Sequence, residues 1–135
     1  MTRSIQLREQ FIVTRPLADV FYYLADFSTI SEWDASVISA KKVSEGAITQ
    51  GTRFDLVLRS AGRRVPIAYT LTTYQALSHL VFTGKAQGFV AIDSIWLKET
   101  AQGTEITWQA DISFEGILAH FLPVMRPSLL KLAKT

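Results

Sequence analysis

Cysteine is absent from this sequence, which excludes disulfides, thiolate metal sites and cysteine nucleophiles together and fits a reducing compartment. Histidine is scarce: His79 and His120 are the only imidazoles, far apart and without carboxylates at ligand spacing. A zinc site normally takes three or four protein ligands, so no metal is expected. Nor does one sign of charge dominate. Lys+Arg at 14 against Asp+Glu at 12 leaves a net +2, too small an excess to suggest a nucleic-acid partner. No apolar run reaches the ~18 residues that cross a bilayer, and the opening Met1–Glu9 stretch has no apolar h-region. The chain therefore reads as soluble and unexported, a cytoplasmic protein without an integral membrane segment. It also lacks a Gly-x-Ser-x-Gly elbow, a Walker loop and a dinucleotide fingerprint, so serine-hydrolase, nucleotide and redox chemistries lose their usual supports and no cofactor is expected. Gly84-Lys85-Ala86-Gln87-Gly88 has spaced glycines but falls between predicted strands, where it reads as a turn.

What is present is a long alternation of apolar and polar residues followed by one helical stripe. The 135 residues suit a single domain, 1–135, with one core. Residues 4–14 alternate loosely through Ile5, Leu7, Phe11 and Val13, as a first strand does. Arg15-Pro16 ends it, and Leu17, Val20, Phe21 and Leu24 predict a short helix over 16–25, with Asp19 suited to the helix dipole. A further helical turn or two is expected between Asp26 and Trp33. Strands follow near 35–45, 52–59, 64–74, 79–86 and 89–99, the second and third of these joined by the hairpin chemistry of Ser60-Ala61-Gly62-Arg63. After Gln102-Gly103-Thr104, Ile106, Trp108, Ala110, Ile112 and Phe114 alternate strictly with polar residues, the pattern of a half-buried strand. From Gly116 onward Leu118, Phe121, Leu122, Met125, Leu129 and Leu132 mark one face of a long helix, interrupted by Pro123 and Pro127. The implied fold is α+β: about seven antiparallel strands, two short helices after the first strand, and a C-terminal helix for the sheet to wrap around.

This order of elements, with Pro16-Leu17-Ala18-Asp19-Val20-Phe21, Trp33-Asp34, Gly51-Thr52-Arg53-Phe54, Tyr69-Thr70-Leu71 and Gly103-Thr104-Glu105-Ile106-Thr107, resembles the START-like (SRPBCC) superfamily of polyketide cyclase/dehydrase-like and lipid-transport proteins. The resemblance covers essentially the whole chain. It implies the helix-grip fold and an apolar cavity between the sheet and the C-terminal helix, holding a small hydrophobic ligand such as a lipid or polyketide. It does not imply one chemistry, because one fold hosts many functions.

Candidate cavity-lining residues follow from the inward parities: Phe54 and Leu56, Tyr69 and Leu71, Phe82, then Trp108 and Ala110 on the last strand. Phe121, Leu122 and Met125 are the expected helix wall. Trp33 is placed to cap the cavity, or equally to anchor the core. In 89–97, Asp93 and Ile95 share a parity with Phe89, Ala91 and Leu97, but the alternate set of Val90, Ile92, Ser94 and Trp96 is nearly as apolar. Periodicity does not choose between them; the resemblance favours Leu97, and hence Asp93, inside. A carboxyl there needs a partner such as Tyr69 or an arginine, or a raised pKa. Plain core packing accounts for Tyr69 and Trp108 as well as ligand contact does, and no convincing acid–base pair emerges. Binding is thus the leading expectation; a polyketide cyclase, aromatase or dehydratase is the enzymatic alternative, and a protein-interaction or stress-response module a third.

Overall fold

A computed structural model describes residues 2–60 and 62–115. The expected C-terminal helix, with Phe121, Leu122 and Met125, lies outside the described residues. The elements run β1 (Thr2–Val13), α1 (Leu17–Ala25), a 3-10 helix (Phe27–Glu32), β2 (Val37–Lys42), β3 (Arg53–Ser60), β4 (Arg63–Gln75), β5 (His79–Ala86), β6 (Phe89–Thr100) and β7 (Gly103–Glu115). All neighbouring strands pair antiparallel in one seven-stranded sheet, ordered β1-β7-β6-β5-β4-β3-β2. Only the β1–β7 pairing joins strands distant in sequence. It closes on two contacts at the chain's first corner: the Thr104 hydroxyl donates to Arg15 O at 2.8 Å, and Gly103, at φ +138, leaves room for Val13 O where a Cβ would stand.

The inner face of the sheet is apolar because each strand contributes alternate residues to it. In β6 that set is Phe89, Ala91, Asp93, Ile95 and Leu97, all buried, while Val90, Ile92 and Trp96 are exposed. Trp96 finds cover on the outer face instead: the His79 ring stacks on it at 4.9 Å and 14°, and the Arg8 guanidinium stands 6.0 Å from its centroid. A register shift between Leu71 and Thr73 in β4, and another between Val37 and Ser39 in β2, are the irregularities that bend such strands.

The 3-10 helix is pinned at both ends by the same device. Asp26 accepts from the Ser28 backbone N–H (3.1 Å) and hydroxyl (2.6 Å), and Asp34 accepts from those of Ser36 (3.0 and 2.6 Å). With three residues per turn, side chains three apart lie on one line. Phe27, Ile30 and Trp33 form that line, and all three are buried against the sheet.

Candidate functional site

Two regions of the inner face differ in what covers them. Over β3–β5, Phe27 lies flat on Phe82, with centroids 4.1 Å apart and planes at 16°, and meets Tyr69 edge-on at 5.0 Å and Phe54 at 6.2 Å. Tyr69 lies directly across from Gly84 in the ladder, and a Cβ at Gly84 would stand 2.5 Å from Tyr69 Cζ. Glycine is therefore what lets the phenol ring rest on its neighbour strand.

Over β6 and β7 the surface is more polar. Asp93 sits in the cross-strand row Leu71–Phe82–Asp93–Ala110, and Trp108 is diagonal to it, opposite Ile95. The Trp108 indole N–H donates to the Asp93 carboxyl. Oδ2 of that carboxyl has no hydrogen-bond partner, and neither has Nε1 of Trp33, whose ring meets Trp108 edge-on at 5.5 Å. Both atoms are sealed from solvent. Loss of hydration raises the Asp93 pKa from 3.8 to about 7; the Trp108 donor works against this, and the Asp34 and Asp111 carboxylates add to it. Tyr69 is pushed well above the usual phenol value by burial first, then by Asp93 and Asp34, so it stays neutral.

Beside this group a cleft of about 570 Å³ opens between α1, the 3-10 helix and the β1–β7 side of the sheet. Its apolar surface comes from Val13, Val20, Leu24, Trp33 and Ile106. Arg15, Asp19, Tyr23 and Glu32 supply the polar part, and the Tyr23 hydroxyl donates to Glu32 Oε1 at 2.9 Å. Burial and the nearby Glu32 carboxylate raise the Tyr23 pKa.

Of the residues singled out in the sequence, Trp33 lines this cleft. Phe54, Leu56, Tyr69, Leu71, Phe82, Asp93, Ile95 and Trp108 are buried, and Ala110 is half-buried across from Asp93. Phe54, Tyr69 and Phe82 are gathered under Phe27, while Asp93 and Trp108 are gathered beside Trp33. The sequence reading did not name Phe27, Asp34 or the α1 residues Val20 and Leu24 among the candidate lining residues. For Phe27 and Trp33 the available signal was a spacing of three rather than the helical 3.6. Among the described residues, no three acidic or histidine side chains gather as a metal site, and no helix is long and apolar enough to cross a membrane.

The family profile described as polyketide cyclase / dehydrase and lipid transport matches residues 4–134. A search of curated proteins finds no match. Among solved structures, the chain resembles the ZhuI aromatase/cyclase from Streptomyces sp. R1128, with TM-score 0.74, 12% identity, and coverage of 99% of this chain and 90% of that one. It also resembles major latex-like protein 151 from Panax ginseng (TM-score 0.73, 11% identity, 97% and 93% covered). An uncharacterised protein from Rhizobium leguminosarum gives TM-score 0.74 at 12% identity, with 99% and 95% covered. At such identities these structures speak for the fold.

Proposed function

The chain belongs to the polyketide cyclase/dehydrase and lipid-transport family, and from that premise we propose that it binds a small hydrophobic or amphipathic ligand on the inner side of its sheet. The observation that carries this reading is the cleft beside Trp33. Its volume of about 570 Å³ falls within the roughly 300–1,000 Å³ of small-molecule pockets, and its apolar lining with a few polar groups is the composition such pockets share.

Extraction of the purified protein followed by native mass spectrometry tests the proposal directly, the expected result being a co-purifying apolar compound at stoichiometric level. Titration with the neutral dye phenylnaphthylamine gives a second readout. Saturable binding is expected, weakened about tenfold, or ~1.4 kcal/mol, by Val20→Phe, which narrows the cleft. A folded protein that carries nothing and takes up no dye contradicts the reading.

A second reading has one observation in its favour. A buried carboxyl that titrates near 7 is poised to exchange a proton at neutral pH, as a cyclase or dehydratase requires. In that case Asp93→Asn lowers turnover of a polyketide mimic by ~10²–10⁴-fold while binding persists. Unchanged turnover removes Asp93 from any acid–base role.

A further inference from the structure

Two buried polar atoms on the inner face, Trp33 Nε1 and Asp93 Oδ2, lack partners, and they belong to one contact chain. Trp33 touches Trp108, and Trp108 donates to Asp93. Trp33 is also the member of this chain that lines the cleft, which links the cleft through Trp108 to the Asp93 carboxyl. Leaving a buried donor or acceptor unsatisfied is costly, and a chain that tolerates two of them along one line of contacts gains whenever something completes both. A ligand hydroxyl suits the pair, since its oxygen accepts from the indole N–H and its proton can go to a carboxylate oxygen.

Charge narrows the class further. Among the described residues, Asp19, Glu32 and Arg15 are the charged groups at the cleft, and Asp93 lies buried inside. The Asp34 and Asp111 carboxylates act on Asp93, and Tyr69 stays neutral. A carboxylate headgroup entering here meets a mainly acidic surround. We infer that the cleft selects a neutral, hydroxyl-bearing apolar ligand over a carboxylic acid of the same shape, with Trp33 Nε1 and Asp93 Oδ2 as the groups that bind the hydroxyl when the Trp33 ring swings aside. This inference rests on the ligand-binding reading above and adds the headgroup that the site accepts.

Three matched probes separate the two claims: methylnaphthalene, naphthol and naphthoate, substituted at the same ring position. Methylnaphthalene binding tests the ligand-binding reading alone, and if none of the three binds, that reading and this inference fall together. The expected result is naphthol binding about tenfold tighter than methylnaphthalene, because a site built to hydrogen-bond a hydroxyl discriminates against the analogue lacking it. Trp33→Phe keeps an aromatic ring and removes the N–H, so naphthol should fall to the methylnaphthalene level while methylnaphthalene itself is unchanged. Naphthoate should bind more weakly than naphthol, and increasingly so as pH rises through about 7 and Asp93 ionises. Asp93→Asn should flatten that pH dependence and relax the exclusion. Naphthoate binding as tightly as naphthol overturns the inference, as does a naphthol advantage that survives Trp33→Phe. Should Trp33→Phe fail to fold, the Asp93→Asn series decides: the same pH-dependent exclusion of naphthoate in both proteins also overturns it.

Discussion

On the β3–β5 side of the inner face Phe27 lies flat on Phe82 with Tyr69 and Phe54 around it, and none of these four side chains holds a buried polar atom without a hydrogen-bond partner. On the β6–β7 side Trp33 and Trp108 make a comparable aromatic contact, yet a carboxyl oxygen and an indole N–H are left without one. The aromatic packing is similar; the polar satisfaction is not. Stability alone favours the first arrangement, since an apolar core avoids the cost of desolvating groups that then find no partner. The second arrangement makes sense where something other than the chain itself completes the contacts. The β3–β5 side holds the 3-10 helix on the sheet, and the β6–β7 side is the one to which our proposal gives recognition.

The largest effect should come from the packed side. Phe27→Ala removes the ring that contacts three other aromatics, and the cavity left behind should cost ~3–5 kcal/mol in a urea unfolding series. A loss near zero would mean that Phe27 does not hold the helix. On the recognition side, Asp93 makes stability depend on pH. Its native pKa of about 7 lies above the ordinary carboxyl value of 3.8, so between these values the native state binds more protons than the unfolded chain. Stability is therefore unaffected below the lower value, falls as pH rises through the window, and levels off above the higher one. The full drop is on the order of 4 kcal/mol, and Asp93→Asn should abolish it. A wild-type profile as flat as that of the variant would place the carboxyl in water. The smallest effect is expected at Gly84→Ala, where the new methyl displaces the Tyr69 ring and overpacks the packed side by ~1–3 kcal/mol. Full stability in that variant would show the packed side to be looser than its ring contacts imply.

Much of this arrangement was legible in the chain. Strict alternation over 105–114 announced β7, and β5 was expected over 79–86, where it lies. Seven strands with two short helical segments after the first also follow from the sequence. β6 was harder, because both of its faces are apolar and the outer one leaves Val90, Ile92 and Trp96 exposed, with His79 and Arg8 set against Trp96. What decides it is tertiary: Asp93 pairs with Ala110 and Ile95 with Trp108, which carries the Asp93 side inward with the β7 alternation. The role of Phe27 had no local signature. Its partner Phe82 is distant in sequence, and a 3-10 line of Phe27, Ile30 and Trp33 escapes a search for helical periodicity. The unpartnered Oδ2 of Asp93 was equally invisible, since the sequence offers Tyr69 and several arginines as partners and only the fold shows Trp108 as the donor to the carboxyl.

The central claim is that Asp93 is a buried recognition group rather than a wetted strand residue, and a carboxyl-detected NMR titration tests it most directly when run with and without naphthol. The account predicts a value near 7 in the free protein and a changed Asp93 resonance and titration once naphthol is bound. An Asp93 that titrates near 3.8 and does not respond to bound naphthol would contradict it.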